Sequence, residues 1–420
     1  MSLEKPNAFS SYQKLVIFLL AVTQFTVILD FMVMSPLGDI LMKSLSLSPT
    51  DFGIAVSAYA FSAGLSGLLT AGFADKFDRK KLLLFFYIGF IIGTAFCGLA
   101  HTYVQLVAAR ILTGLFGGVI SSISMAIITD LFSLQQRGRV MGFVQMGFGA
   151  SQVLGVPIGL YLANIWGWEA PFWLVVGLAV IIALLIAFKL KPVREHLLIQ
   201  REKSAIAHLW HTVMQKKHRI GFTSTALLSI GGFMMMPFGS AFAINNLGIT
   251  ENQLPMLFMV SGVSSLLILP MVGKLSDKVS KFKIFAIASI WMMVMCVIYT
   301  NLSVTPFIWV MILNVLMMAG IMSRMIPSQA LTSAIPEAAD RGAFMSINAS
   351  LQQIAGGVAA TVSGLIVTQA GKGQPLQHYD MVAYIIVAIT IISIWLMSRV
   401  SKIVQAKGNV VASSAPVLEH

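Results

Sequence analysis

Apolar residues run along this chain in long blocks of roughly 18 to 28, separated by short polar stretches. At about 1.5 Å per residue, each block is long enough to cross a hydrocarbon core of about 30 Å as a helix. Twelve such blocks predict twelve membrane-spanning helices. The first six are Lys14–Leu37, Asp51–Phe73, Leu82–Ala100, Tyr103–Ile128, Val140–Ala163 and Pro171–Phe188. The second six are Ile220–Leu247, Gln253–Val272, Ile284–Asn301, Thr305–Gln329, Ala343–Gln369 and Met381–Val400. A membrane barrel would show shorter, alternating segments, so the pattern reads as all-α. The first block continues without a small-residue cleavage site and is read as a retained span. The terminal Leu418–His420 reads as a cloning remnant and carries no fold argument.

Composition agrees: 57% of the 420 residues are hydrophobic and only 10% charged, against about a quarter charged in soluble domains. The net charge of +12 raises the question of a nucleic-acid partner, which the placement of the charges rejects. Of 28 Lys and Arg residues, 24 lie at the termini or in even-numbered connections. Lys43 and Lys372 alone fall in odd-numbered ones, and Arg110 and Arg324 lie inside spans. That asymmetry is the positive-inside pattern and predicts two cytoplasmic termini. Membrane lipid, with its anionic headgroups, is the partner this charge implies. Cys97 and Cys296 both sit in apolar blocks and read as packing residues.

The longest polar connection divides the chain into residues 1–188, a linker 189–219 that is basic and partly amphipathic, and residues 220–420. The two halves resemble each other. Ala71–Lys80 (AGFADKFDRK) matches Gly273–Phe282 (GKLSDKVSKF) at an offset of 202, setting Asp75 against Asp277. Arg137–Gln152 matches Arg341–Gly356 at an offset of 204, and Phe31–Pro36 (FMVMSP) echoes Phe233–Pro237 (FMMMP). Parallel repeats of this kind suit a two-bundle secondary transporter with its site between the halves, near mid-membrane.

These segments resemble the major facilitator superfamily over essentially the whole chain. Ala71–Lys80 is similar to the family's loop 2–3 signature: Asp75, Arg79 and Lys80 match, while Ala71 and Asp78 replace glycines. Arg110–Gly114 resembles the fourth-span signature, with Thr113 for Gln. Gly155-Val-Pro-Ile-Gly159 resembles the fifth-span antiporter motif, its proline displaced by one position and Leu160 replacing the last glycine. With Asp30 in the first span, the closest resemblance is to the twelve-span drug:proton antiporters. The resemblance implies two six-helix bundles related by a pseudo-twofold axis, working as a monomer without a cofactor. It also implies that Asp75, Arg79, Asp130, Arg137, Asp277 and Lys281 gate the cytoplasmic side, and that Gly155, Pro157 and Gly159 let span 5 bend. The alternatives for these are topology-setting charge and a small-residue packing face.

Asp30 is the one carboxylate well inside a span. The helical rise places it about 24 Å in from the cytoplasmic end and Arg110 at a similar depth on span 4. A buried Asp is costly unless paired, and its proton affinity depends on whether an Arg is near. The resemblance implies that spans 1 and 4 adjoin beside the cavity, which makes Asp30 and Arg110 the candidate proton-coupling pair, the alternatives being a fixed ion pair or a charge solvated at the rim. At the repeat offsets Arg110 meets Asn314 and Asp30 meets Gly232 or Met234, which confines titratable chemistry to the first half. Candidate cavity residues are Gln24, Met34, Gln145, Gln152, Met234, Asn314, Arg324, Asn348 and Gln352. Methionine adapts to varied apolar ligands, although core packing and helix–helix hydrogen bonds explain many such residues. Arg324 is read near the cytoplasmic end of span 10, where its side chain can snorkel; an anion-binding or gating role is the alternative.

No hydrolase, zinc-protease or nucleotide-binding motif is present, and the His residues are scattered, so an enzyme has no support. The expected protein is a bacterial-type inner-membrane exporter of a lipophilic or amphipathic small molecule, driven by proton entry. The alternatives are an importer or uniporter of a small metabolite, sugar-like or an organic anion, and an exporter of a lysolipid or siderophore-like molecule.

Overall fold

The computed structural model describes residues 9–70, 76–194, 197, 205–337 and 340–413. Helix α1 (Ser11–Val33) starts at a capping box, in which Ser10 and Gln13 satisfy each other's backbone amides. It ends where Pro36 removes a backbone donor, and the short α2 (Gly38–Leu45) follows. The spans continue with α3 (Pro49–Thr70), α4 (Arg79–Gly98) and α5 (Tyr103–Leu131). The fifth is built from α6 (Leu134–Ala150) and α7 (Val156–Trp166), and α8 (Ala170–Lys189) closes the first half. In the linker, α9 (Ala205–Met214) exposes Trp210.

The second half repeats the plan. Helix α10 (Lys216–Phe233) breaks into a 3₁₀ turn at Met236–Phe238 and resumes as α11 (Gly239–Asn245). Then come α12 (Leu254–Lys278), α13 (Lys281–Thr300), α14 (Phe307–Ser333) and α15 (Arg341–Ile366). A small hairpin of β1 (Thr368–Gln369) and β2 (Leu376–Gln377) precedes α16 (Tyr379–Ser413). Among the described helices, eleven are long and apolar enough to cross a membrane unaided. The twelfth is α10, whose first turn carries Lys216, Lys217 and Arg219 and whose crossing is completed by α11. The all-α, twelve-span expectation therefore holds, with two differences at the breaks. Span 1 was expected to run to Leu37 and span 7 unbroken to Leu247, but each stops short at its proline.

The two breaks are repeat-related and face each other across the bundle interface. Ser35 Oγ donates to the Met236 carbonyl, and Ser240 Oγ donates to the Ser35 carbonyl at 2.8 Å. Phe52 and Phe238 pack edge to face beside them, with ring centroids 5.9 Å apart. Around this apolar plug Asn245 donates to Asp39 at 2.6 Å, and Lys43 bridges Asp39 (2.6 Å) and Glu251 (3.5 Å). Burial lowers the proton affinity of Lys43, but its bond to Asp39 and the charges of Asp39 and Glu251 more than offset this, holding the ammonium above its ordinary range. Asn164 donates to the Glu251 carbonyl at 3.2 Å, and Thr50 to the Gly364 carbonyl at 2.8 Å. Between described residues, every polar bond joining the two bundles lies on the face opposite the Lys/Arg-rich connections. Below that seal the halves meet along two seams, α3 on α15 and α7 with its preceding turn on α12.

Candidate functional site

Asp30 on α1 lies among α3, α4 and α5 in the first bundle. Arg110 Nη1 on α5 donates to its Oδ2 at 2.8 Å, and Thr94 Oγ1 on α4 donates to Oδ1 at 3.1 Å. The Arg110 guanidinium stacks on Tyr59 of α3, 4.6 Å from the ring centroid. Both charged side chains are 0% exposed, which excludes a charge solvated at the rim. The local sequence explains the approach. A Cβ at Gly114 would stand 2.1 Å from Ser62 Oγ and 2.4 Å from the Tyr59 carbonyl, so only glycine lets α5 lie against α3 one turn beyond Arg110. Among the described residues Arg110 Nε and Nη2 have no hydrogen-bond partner, so the Asp30 carboxylate and the Tyr59 face, with the Cys97 thiol nearby, stabilise its charge.

Span 5 closes over the same place. Pro157 lacks the amide that would bond the Val153 carbonyl, and residues Ser151–Gly155 form a π-turn just before it. Ser151 Oγ bonds the carbonyls of Gly147 and Phe25 there, tying the turn to α1. A Cβ at Gly155 would meet Leu29 at 2.6 Å, the residue before Asp30. Gly159 lies against Val33, one turn further along α1. Gly155 and Gly159, either side of Pro157 in the chain, thus sit against the Asp30 segment.

The second bundle has a neutral version of the pair. Ser261 Oγ on α12 donates to Asn314 Oδ1 on α14 at 2.6 Å, and the buried Tyr299 of α13 also bonds Asn314. Ser261 and Asn314 are the repeat equivalents of Tyr59 and Arg110, at the offsets of 202 and 204.

The residues expected around a cavity divide into groups. Gln145 on α6 and Gln352 on α15 are exposed about 16 Å from the basic-face ends of their helices. Gln152 and Asn348 are half-buried, and Asn348 Oδ1 has no partner. Gln24 is buried and donates to Ser121 at 3.0 Å within the first bundle. Met34 and Met234 do not line a cavity: both are 0% exposed at the two helix breaks, where they pack into the seal. Arg324 also differs from its expected snorkelling position. It is 3% exposed, beside Met292 and Phe285, about 14 Å from the basic-face end of α14.

Of the gating residues, Asp75 lies outside the described residues, as does the Asp277 side chain. Arg79 Nε pairs with Asp130 at 3.3 Å, linking the start of α4 to the end of α5. Arg137 donates to the carbonyls of Thr129 (2.7 Å) and Phe132 (3.0 Å), closing the end of α5. Lys281 reaches the Ser276 carbonyl at 3.3 Å. These bonds stay within their own bundles. The sequence reading missed Asp78, which caps α4 at Lys80 N and holds the linker through Arg194 Nε (2.7 Å) and Val193 N (3.3 Å). Burial raises its proton affinity, but those bonds, led by Arg194, outweigh it and hold the carboxyl below its ordinary range.

The sequence model of the Major Facilitator Superfamily matches residues 20–221 and again 221–416, once on each half. An uncharacterized MFS-type transporter of Bacillus subtilis, YbcL, is 24% identical over 84% of this chain and 88% of its own length. Multidrug resistance protein 3 of the same species is 34% identical over 35% of this chain and 28% of that protein. Several curated relatives are matched over less than two thirds of their own length. In three dimensions the crystal structure of a D-xylose-proton symporter superposes with a TM-score of 0.77 at 17% identity, covering 92% of this chain and 97% of that one. The chain belongs to the major facilitator superfamily.

Proposed function

We propose that this transporter is a bacterial inner-membrane antiporter that exports a lipophilic or amphipathic small molecule against proton entry, as a monomer with both termini in the cytoplasm. The Asp30–Arg110 pair carries this reading: it holds the one carboxylate inside a span, and its partner is fixed on a different helix. A proton arriving from outside neutralises Asp30, the attraction to Arg110 falls, and the helices bearing them are released to move. Tyr59 retains the guanidinium meanwhile. The basic connections favour a cytoplasmic location for the face opposite the seal, where exposed Gln145 and Gln352 suit a cavity open to the cytoplasm. The partial match to a multidrug resistance protein supports export. On this reading Arg79, Asp130, Arg137 and Lys281 act as the hinges and end caps that move with each bundle.

The complete burial of the pair favours one second reading, a uniporter in which Asp30 and Arg110 are a permanent clamp. Proton release on substrate addition separates the two, comparing the parent with Asp30→Asn in weakly buffered detergent solution. Antiport predicts substrate-linked release that disappears in the folded variant. Binding of the substrate without release in the parent would sink it.

A further inference from the structure

Two arginines lie inside the spans, and among the described residues only one has a counter-ion. Arg110 is paired with Asp30. Arg324 on α14, almost fully buried, has no carboxylate beside it among the described residues. Its Nη1 donates to Met292 Sδ at 2.8 Å, its guanidinium stands 5.8 Å from the Phe285 ring, and its Nη2 has no hydrogen-bond partner among the described residues. The buried Cys296 thiol lies close enough to be felt by its charge, and α13 also carries the buried hydroxyl of Ser289 between Phe285 and Met292. The described part of the second half offers no alternative: Glu251, Asp277, Glu337, Asp340 and Asp380 all lie within a turn of a helix end or beyond it.

A guanidinium in a low-dielectric site holds an anion strongly, and its planar fork matches carboxylate, phosphate and sulfonate oxygens. We propose that Arg324 receives an anionic group of the transported molecule, a carboxylate, phosphate or sulfonate carried on an apolar body. This rests on the reading of the protein as an exporter of amphipathic molecules and narrows it to anionic ones. The surroundings suit such a ligand. Met292, Met317, Met318, Met322 and Met325 lie on the two helices that hold Arg324, offering adaptable contacts to the apolar part. The backbone near Arg324 is also able to move. Pro327 leaves the Ser323 carbonyl without its helical donor, so α14 can flex within one turn of the guanidinium. Arg324 then exchanges the weak Met292 sulfur for the anion. The charges of the cycle are complementary: a proton neutralises Asp30 in one bundle, and the cargo neutralises Arg324 in the other.

The test compares two probes with the same rings on the full-length protein in detergent. One is 8-anilinonaphthalene-1-sulfonate, and the other is N-phenyl-1-naphthylamine, which lacks the sulfonate. Affinity is read from the concentration dependence of the thermal shift. The parent should prefer the sulfonate by about tenfold or more, as expected for a buried charge-assisted contact. Arg324→Gln should lose that preference while still binding the amine, and Arg324→Lys should keep part of it. Equal binding of both probes by the parent, or an unchanged preference in Arg324→Gln, overturns the site. Should Arg324→Gln fail to fold, phenylglyoxal labelling of the parent decides. An adduct at Arg324 that the sulfonate suppresses supports the proposal; no adduct, or one the sulfonate does not affect, overturns it. Proton release is measured in the same preparation. Anion preference without release keeps the site and removes antiport, and release without preference does the reverse.

Discussion

Asp30 and Arg110 hold each other in place because neither has water to turn to once the other is gone. Removing one partner of such a buried pair costs about 3–5 kcal/mol, chiefly because the survivor stays buried and charged. Arg110→Ala should therefore lower the thermal midpoint strongly, leaving Asp30 with Thr94 as its one remaining side-chain donor. Asp30→Asn combined with Arg110→Gln should cost less than the two single changes added together. A double-mutant cycle in detergent measures this, and strict additivity would mean that the pair contributes no coupling. Tyr59 belongs to the same unit. Replacing it with Leu keeps the apolar bulk but removes the ring face, with an expected loss of about 0.5–2 kcal/mol.

At the scale of elements, Asp78 joins two tasks, capping α4 and holding the linker. Asp78→Ala should cost about 1–2 kcal/mol through the lost cap, and should speed tryptic cleavage of the linker after Arg194. The pH dependence has a defined sign. The folded carboxyl titrates below its ordinary value of about 3.9, so its stabilisation is full above that value and is lost as pH falls through the folded one. Linker cleavage by an acid protease should rise in that window in the parent and stay flat in Asp78→Ala. The sequence signalled none of this, since Asp78 appeared only as a replacement for an expected glycine. The spans themselves were legible, because a bilayer forces long apolar helices and leaves its imprint on loop charge. The Asp30–Arg110 contact was legible because depth can be counted along a helix and the family resemblance implied that spans 1 and 4 adjoin. Thr94 and Tyr59 were not, because hydroxyls inside spans are common and nothing in the chain marks the two that converge. Arg324 was misplaced because α14 runs four residues past the expected Gln329 to Ser333, which sets the guanidinium deeper. Met34 and Met234 were misread because Pro36 and Pro237 break their helices and turn these side chains into the seal.

At the scale of the molecule, the seal is what alternating access has to break. Between described residues it concentrates the polar bonds joining the bundles at one end, so opening there requires Ser35, Asp39 and Thr50 to part from Ser240, Asn245 and Gly364. Ser35 and Ser240 are bonded across the interface through the repeat-related breaks, which makes them a natural place to lock the two halves. The native thiols do not interfere, since Cys97 and Cys296 are buried within separate bundles. Ser35→Cys combined with Ser240→Cys should cross-link on oxidation and stop transport in proteoliposomes, and dithiothreitol should restore it. Each single variant should transport under both conditions. Substrate binding from the basic face should survive cross-linking, because the lock holds only the opposite end. Continued transport by a fully cross-linked sample would mean that this end need not open, and rocking of the two bundles about the seal would have to be abandoned. Weakening the seal gives the opposite displacement: Asn245→Ala removes the Asp39 partner and should raise the rate at which a cysteine at position 35 is alkylated from the sealed side. The two experiments bracket the cycle, one holding the seal shut and the other lowering the free energy of its opening.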